Sequence, residues 1–332
     1  MQHDNDLLRL EDLEVSFRTS AGRLVAANAV NLEVKENEIL GLVGESGSGK
    51  TVTALSIMRL LSVPPARIRG KILFEGQDLL AVSESRMMKV RGEKIAMIYQ
   101  DPMTSLNPVL RVGEQVAEAV RKHQQLGHKE AMQSAINAMK AVGIASAEKR
   151  AKEYPHQMSG GMRQRIVIAT ALSCKPRLLI ADEPTSMLDL LSQAQLITLL
   201  RGLRSEIGSV LYITHDMGVV AQLCNRVAVM YASRVMEVAN VEELFTHPLH
   251  PYTIGLLESV TRVDVRVDKL RYIEGNMPDL INRPSGCLFH PRCAFATDTC
   301  RKEIPSLREF APGHLVACLK VEEIYERRNP QS

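Results

Sequence analysis

The stretch GLVGESGSGKTVTAL, residues 41–55, places Gly44, Gly47 and Gly49 between an apolar run and a helical pattern. Because glycine weakens both helices and strands, such a cluster indicates backbone conformations that other residues avoid. The stretch matches G-x-x-x-x-G-K-[ST], in which successive backbone N–H groups face phosphate oxygens and the following helix points its positive dipole end at the same anion. The predicted phosphate loop consists of Gly44, Glu45, Ser46, Gly47, Ser48, Gly49, Lys50 and Thr51.

Two side chains at the end of this loop complete the predicted grip on a nucleoside triphosphate. Lys50 is expected to reach the β- and γ-phosphates, and the Thr51 hydroxyl to hold Mg²⁺. A glycine-rich turn that binds nothing is the alternative, but a motif of this length between a strand and a helix is specific. We therefore expect ATP and Mg²⁺ as ligands.

Composition limits the class of protein. A chain of 332 residues accommodates one large domain with a smaller appendage. Its net charge of +3 and the absence of Trp give little reason to expect nucleic acid as a partner. The acidic start lacks the layout of a signal peptide, and no apolar run is long enough to span a bilayer, so we expect a cytoplasmic chain.

Apolar runs alternate with helical patterns over the first 240 residues, which predicts an α/β domain. From about Val112 to Leu172 the pattern turns helical, with amphipathic segments. After Phe245 prolines, arginines and cysteines become frequent and the periodicity weakens. We predict an ATPase domain at 1–245, with a helical subdomain at about 102–175, and a small extension at 246–332.

The stretch LLIADE, residues 178–183, supplies the carboxylates that hydrolysis needs. Its apolar residues predict a buried strand, and Asp182 lies at the carboxyl end, where α/β sheets place ligand-binding groups. Asp182 is expected to orient Mg²⁺, and Glu183 to act as the general base on the attacking water.

A second anion-binding element follows from MSGGMRQR, residues 158–165. Ser159 can cap the next helix, and Gly160 and Gly161 leave its N–H groups open. One nucleotide needs only one phosphate loop. The duplication predicts two chains facing head to tail, with each loop closed by the other chain's Ser-Gly-Gly turn.

With these motifs in this order, the chain resembles the ATP-binding cassette (ABC) ATPases, whose signature is Leu-Ser-Gly-Gly-Gln. The resemblance covers about residues 7–245 and implies a P-loop NTPase with a RecA-like mixed-sheet core and a helical signature subdomain. Met162 replaces the glutamine of the signature, and Met187 replaces the alanine of the family's Ser-Ala-Leu-Asp D-loop within SMLD, residues 186–189. Met162 removes a polar contact of the signature, and Met187 leaves open how the two sites communicate.

The resemblance also implies roles for further residues. Phe17 is expected to stack on adenine, with a buried core ring as the alternative. Gln100 is expected to bridge Mg²⁺ or the water to the membrane partner, and His215 to hold the γ-phosphate. The implied clasp on the opposing chain's ATP consists of Ser159, Gly160 and Gly161, with Asp189 of the D-loop among the ATP-binding residues.

Past residue 245, HPLHPYTIGLLESV and GCLFHPRCAFATDTC resemble the extension of the oligopeptide and dipeptide importer ATPases, with His250-Pro251-Tyr252 as its hallmark. This implies an ATP-hydrolysing subunit that energises uptake of di- or oligopeptides, with nickel chelates or glutathione-like substrates as alternatives. The implied partners are a second, related ATPase subunit, two transmembrane permease subunits and an extracytoplasmic substrate-binding protein. The implied location is the cytoplasmic face of the inner membrane, held through the permeases.

Cys287, Cys293, Cys300 and Cys318 are spaced C-x₅-C-x₆-C-x₁₇-C, without the tight C-x₂₋₄-C pair that zinc sites usually contain. The spacing and the family resemblance favour a [4Fe–4S] cluster, and zinc or unligated thiols are the alternatives. Arg292 is expected either to donate to a cluster sulfur or to be a solvated charge. The isolated Cys174 and Cys224 are expected to be inert core thiols.

Two other classes of function compete with the importer. A soluble ABC ATPase acting on DNA or ribosomes would carry long heptad arms or two cassettes, whereas one cassette is present here and about 60 residues separate Gln100 from Ser159. An iron–sulfur redox or sensor protein would depend on the cysteines even when hydrolysis is intact. The ordered motifs favour the importer.

Overall fold

The computed structural model describes residues 6–101, 105–186, 188–203, 207–259 and 272–328. The strands in these ranges are β1 (Asp6–Thr19), β2 (Gly22–Lys35), β3 (Ile39–Val43), β4 (Ala66–Phe74), β5 (Gln77–Asp78), β6 (Ile95–Ile98), β7 (Leu178–Asp182), β8 (Ser209–Thr214), β9 (Arg226–Tyr231), β10 (Arg234–Asn240), β11 (Arg308–Ala311) and β12 (His314–Val316).

The helices are α1 (Lys50–Ile57), α2 (Glu84–Glu93), α3 (Val112–Gln124), α4 (His128–Ala141), α5 (Ala147–Arg150), α6 (Gly160–Leu172), α7 (Leu190–Gly202), α8 (Met217–Leu223), α9 (Val241–Thr246), α10 (Pro251–Ser259), α11 (Asp298–Lys302) and α12 (Val321–Arg328). Within the described ranges, no helix has the length and apolarity that crossing a membrane requires.

The chain divides into two compact units. The first, here called the signature unit, consists of described residues within Met1–Leu7, Val34–Ile39 and Asp78–Ile213. The second, the loop unit, consists of described residues within Leu8–Glu33, Leu40–Gln77 and Thr214–Ser332. Each unit brings together segments that are distant in the sequence.

The signature unit combines a parallel sheet with packed helices. β6, β7 and β8 lie side by side in parallel, and every residue of the three strands is buried. Such strands are apolar throughout because both faces of the sheet are covered. α3 and α4 pack on each other and on α6, and each buries residues spaced three or four apart. The helical pattern predicted for residues 112–172 is confirmed.

The loop unit contains two sheets. In one, the strand order is β11-β12-β10-β9-β3, with β3 and β9 parallel and the other neighbours antiparallel. The other sheet has the order β2-β1-β4-β5, with β1 antiparallel to β4. The phosphate loop joins β3 to α1, as the sequence predicts, and the expected mixed α/β architecture is confirmed.

The C-terminal region extends the sheet of the loop unit. Glu237 of β10 pairs with Val316, and Val238 pairs with Leu315. Sheet pairing therefore continues past the boundary predicted near residue 245, and the boundary itself stays a prediction.

A fully buried carboxylate holds this region to β10. Glu237 accepts hydrogen bonds from the backbone N–H of Leu249 at 2.7 Å and of His250 at 2.9 Å. Its carboxylate also lies 2.7 Å from Nε2 of the buried His314. A buried charge is tolerated only when such partners satisfy it, so the network ties β10, β12 and the start of α10 together.

Substitution of Glu237 by Gln should destabilise the protein. The side-chain amide of Gln would replace one acceptor oxygen by an NH₂ group, which would face an N–H that also donates. We therefore expect the free energy of unfolding to fall by about 3 kcal/mol. Urea unfolding followed by circular dichroism measures the change. The control is Glu322→Gln, which breaks an exposed pair with Arg308 and should cost at most about 1 kcal/mol. Equal, small losses for both variants would contradict the structural role of the network.

Candidate functional site

The phosphate loop depends on glycine at two positions for both conformation and space. Gly44 has φ 153° and Gly49 has φ 106°. A Cβ would lie 2.0 Å from the carbonyl oxygen of Met230 at the first position and 2.2 Å from that of Ala26 at the second. Both values are shorter than any real contact, so β9 and β2 pack directly on the bare backbone of the loop.

Lys50 is held by the loop it follows. Its side chain is nearly buried, and Nζ donates to the carbonyl oxygens of Gly44 at 2.7 Å and Glu45 at 3.0 Å. Nζ also lies 3.4 Å from Oγ of Ser48. The next residue, Thr51, is exposed. The loop's own oxygens therefore set the position of the ammonium group.

Two further predicted residues belong to the loop unit. Phe17 is half-buried near the end of β1, opposite Ala66. His215 is exposed directly after β8, and Asp216 caps α8 by accepting from the N–H groups of Gly218 and Val219. The nucleotide contacts of Phe17 and His215 stay predictions.

In the signature unit, the structure brings Gln100, Asp182 and Glu183 together. Asp182 is buried at the end of β7, and Glu183 follows it with φ 45°. The Glu183 N–H donates to the carbonyl of Ile213 at 2.9 Å, and its carboxylate accepts from Nε2 of Gln100 at 3.1 Å. A positive φ at a non-glycine residue is strained and often marks a functional position. The turn thereby aims the carboxylate of Glu183.

The signature turn, Ser159-Gly160-Gly161, lies at the start of α6. Ser159 caps the helix, and its Oγ accepts from the N–H of Met162 at 3.3 Å. A Cβ at Gly160 would meet nothing within 4 Å. Packing among the described residues therefore does not require glycine there, and the backbone at Gly160 is open to approach.

Asp189 lines a cavity of about 290 Å³ and caps α7. The N–H and hydroxyl of Ser192 donate to its carboxylate at 2.9 and 2.7 Å. These hydrogen bonds hold the pKa of Asp189 below its ordinary value. Ser159, Gly160 and Gly161 line the same cavity. Met187 lies outside the described residues, so the D-loop departure has no structural account.

Gln164 is a buried polar residue to which none of the sequence motifs points. This side chain is buried, and its Nε2 donates to the carbonyl of Pro184 at 2.8 Å. It connects the signature helix to the turn that follows Glu183. The available signal was its spacing of four and seven residues from the buried Ile168 and Ala171, which puts a polar group on an apolar face.

The four C-terminal cysteines share one region of the loop unit. Cys287 and Cys300 are buried, and the N–H of Cys287 donates to the Cys300 carbonyl at 2.8 Å. Burial raises the pKa of Cys293 to about 11 and that of Cys318 to about 12. The pKa of Cys318 also responds to charge on the other three thiols, so all four lie within electrostatic reach.

Cysteine thiols are the donors that iron–sulfur clusters use, so these four residues suit such a cluster in chemistry and number. Among the residues that the structure describes, however, no set of three or more His, Cys, Asp and Glu side chains forms an arrangement ready to hold a metal ion. The [4Fe–4S] cluster therefore stays a prediction.

The expectation that Arg292 is a solvated charge is wrong, whereas its donation to a cluster sulfur stays a prediction. Its side chain is only 6% exposed, and Nη1 donates to both carboxylate oxygens of Glu45, at 3.1 and 3.0 Å. The residue before Cys293 thus contacts the phosphate loop, 247 positions earlier in the sequence.

His250 and Tyr252 of the predicted hallmark lie in an aromatic cluster of the loop unit. The Tyr252 ring lies 4.6 Å from that of Tyr231 and 5.4 Å from that of Phe289, centroid to centroid. His250 Nδ1 accepts from the Tyr252 N–H at 3.0 Å, which requires that nitrogen to be unprotonated. Burial lowers the pKa of His250 to about 4, partly offset by Glu237.

Comparison with known proteins extends this picture. The family model of the ABC transporter matches residues 27–186, and that of the oligopeptide/dipeptide transporter C-terminal region matches residues 236–300. The oligopeptide transport ATP-binding protein OppD of Escherichia coli is 48% identical over 97% of this chain and 96% of its own length. This chain belongs to that family of ABC transporter ATP-binding proteins. The resemblance stated from the motifs is confirmed.

Other relatives agree with this membership. A probable peptide ABC transporter ATP-binding protein of Sinorhizobium fredii is 50% identical over 96% of each chain. Among solved structures, a dimeric ATP-binding cassette in a post-hydrolysis state, bound to ADP and Pi, aligns with a TM-score of 0.63 and 26% identity. The alignment covers 70% of this chain and 98% of that one, so the ABC cassette fold is shown.

Buried His250 should make the stability of the cassette depend on pH. Between pH 6.5, its ordinary pKa, and about 4, the unfolded chain binds a proton that the folded chain excludes. The free energy of unfolding should therefore fall by about 3 kcal/mol as the pH drops through this window. Urea unfolding at a series of pH values measures the slope.

His250→Asn supplies an oxygen acceptor that does not titrate, so this variant should lose that part of the slope. The matched control is His128→Asn, which makes the same substitution at an exposed histidine. A wild-type slope in His250→Asn would contradict the assignment.

Proposed function

We propose that this chain is the ATP-hydrolysing subunit of an importer for di- or oligopeptides. The observation that carries the proposal is the similarity to OppD over nearly the whole of both chains. The contact between Gln100 and Glu183 supports it, because a general base for water needs a carboxylate held in a defined orientation.

The loop of residues 44–51 would bind the phosphates of MgATP. Lys50 would neutralise the β- and γ-phosphates, and Thr51 and Asp182 would hold Mg²⁺. Phe17 would stack on adenine, and His215 would contact the γ-phosphate. ATP and Mg²⁺ suit these residues because the loop combines bare amides, an ammonium group and a hydroxyl.

Glu183 would act as the general base in hydrolysis. A water oxygen attacks the γ-phosphorus, its proton passes to the Glu183 carboxylate, and the bond to the β-phosphate oxygen breaks to release ADP. Gln100 holds the carboxylate and would respond to Mg²⁺ and the membrane partner. Catalysis of this kind consists mainly of positioning and charge stabilisation.

The nucleotide would be sandwiched between two cassettes. Ser159, Gly160 and Gly161 would clasp the γ-phosphate bound to the opposing cassette, and Asp189 would adjoin that site. The open space at Gly160 supports this role, because a ligand from outside the chain needs close approach to the backbone there. The opposing cassette would be a related ATPase subunit.

The remaining partners follow from the same family. Two transmembrane permease subunits would hold the cassette at the cytoplasmic face of the inner membrane, and an extracytoplasmic binding protein would deliver the substrate. Closure and opening of the ATPase pair would drive the permeases between their two states. Nickel chelates and glutathione-like compounds are the alternative substrates. A transport assay with each compound distinguishes them from peptides.

Glu183→Gln tests the catalytic assignment in the assembled transporter. The amide cannot accept the water proton, so ATP hydrolysis should fall by at least about 100-fold while nucleotide binding is retained. Phosphate release measures the first quantity and a filter-binding assay the second. The control, Glu148→Gln, removes an exposed carboxylate paired with Lys140 and should keep the wild-type rate. Undiminished hydrolysis by Glu183→Gln would refute the mechanism.

The four C-terminal cysteines, Cys287, Cys293, Cys300 and Cys318, would ligate a [4Fe–4S] cluster. Their number, donor chemistry and mutual electrostatic reach support this assignment. The group would supply a rigid cross-link between segments of the extension, and no step of ATP hydrolysis requires it.

Anaerobically purified protein should show broad visible absorption and contain about four iron and four sulfide ions per chain. Cys287→Ser should lose both signals because a ligand is removed. Cys174→Ser is the matched control, since that thiol donates towards the Ala119 carbonyl instead and should leave both signals intact. Bound zinc without visible absorption, or no bound metal, would refute the cluster.

A further inference from the structure

Glu45 of the phosphate loop is held from the C-terminal side by two residues. Its backbone N–H donates to the hydroxyl of Tyr252 at 2.9 Å. The side chain of Glu45 is 28% exposed, and its two carboxylate oxygens accept hydrogen bonds from Nη1 of Arg292 at 3.1 and 3.0 Å. Main chain and side chain of one loop residue are therefore fixed by separate parts of the extension.

The guanidinium of Arg292 is itself fixed. Its Nε donates to the carbonyl of Glu274 at 2.9 Å, and its Nη2 donates to the carbonyl of Ile273 at 3.2 Å. It also lies over the ring of Tyr231, 5.7 Å from the centroid. A charged side chain with these contacts is an ordered anchor rather than a mobile surface group.

The hydroxyl of Tyr252 is fixed in the same way. The residue is fully buried, its ring packs on Tyr231 and Phe289, and its N–H donates to His250. A Cβ at Gly47 would lie 2.9 Å from Cε of Met277, so the extension also lies against the exposed part of the loop.

Two physical consequences follow for the phosphate site. The carbonyl of Glu45 accepts from Nζ of Lys50 at 3.0 Å, so the residue that the extension holds also positions the phosphate-binding ammonium. An unpaired carboxylate on the loop would repel the phosphates of a nucleotide, and Arg292 neutralises it.

We propose that Arg292 and Tyr252 are positioning residues for nucleotide binding, which make the affinity of the loop for MgATP and MgADP depend on the C-terminal extension. The inference relies on the phosphate-binding role proposed for Lys50. Arg292 cancels the charge of Glu45, and Tyr252 holds its peptide group. The HPY segment and the residue before Cys293 thereby act on the nucleotide site without touching the nucleotide.

The test is calorimetric titration of the full-length chain with MgADP. Arg292→Met should weaken binding about tenfold, because the unpaired carboxylate of Glu45 would then repel the phosphates. Restoring neutrality with Glu45→Gln in the Arg292→Met background should recover most of the affinity. Arg308→Met, which breaks an ion pair elsewhere in the extension, should bind like the wild type.

Tyr252→Phe provides a second, nearly isosteric variant in case Arg292→Met does not fold. It removes one hydroxyl and should weaken MgADP binding, because the N–H of Glu45 loses its acceptor. A purely structural role would lower the free energy of unfolding and leave MgADP affinity unchanged in the folded fraction.

Lys50→Ala separates the two levels of inference. If it binds MgADP as the wild type does, the phosphate-binding role itself is wrong. If it loses binding while Arg292→Met and Tyr252→Phe retain wild-type affinity, the positioning role is overturned. Failure of Glu45→Gln to rescue Arg292→Met would also overturn the role of charge neutralisation.

Discussion

Backbone amides bind a phosphate group only when the chain is held in a conformation that most residues avoid, and this constraint shapes the loop unit. Gly44 and Gly49 adopt positive φ angles while the carbonyls of Met230 and Ala26 press against their α-carbons. Glycine gives up more conformational freedom on folding than other residues, so a loop of this kind needs support from outside itself. β2 and β9 supply that support on one side, and the extension supplies it at Glu45.

The HPY hallmark of the extension acquires a physical basis from these contacts. His250 stays neutral in the folded protein and offers Nδ1 to the backbone of Tyr252. Pro251 begins α10, a position at which its missing N–H costs nothing. Tyr252 then presents its hydroxyl to Glu45. Glu237 accepts hydrogen bonds from the backbone N–H groups of Leu249 and His250 in the same segment. The extension is therefore anchored to β10 by a buried carboxylate whose hydrogen bonds are satisfied.

In the signature unit, orientation of the proposed base comes from backbone geometry as much as from side chains. Glu183 has a positive φ, and its N–H is held by Ile213 while Gln100 holds its carboxylate. Gln164 reaches the next residue of that turn from the signature helix. A shift of this helix would therefore be transmitted towards Glu183 through a buried hydrogen bond, which physically connects the signature motif to the proposed base within one chain.

The sequence by itself determined the features that are local in the chain: the loop between β3 and α1, Asp182 at the end of a buried strand, and Ser159 at the start of a helix. Such features follow from residue conformation and periodicity over a few positions. The contacts of Arg292 with Glu45, and of Gln164 with Pro184, were decided only by the tertiary structure. Their partners lie 247 and 20 residues apart, and neither periodicity nor a motif specifies which polar groups meet when sheets and helices pack.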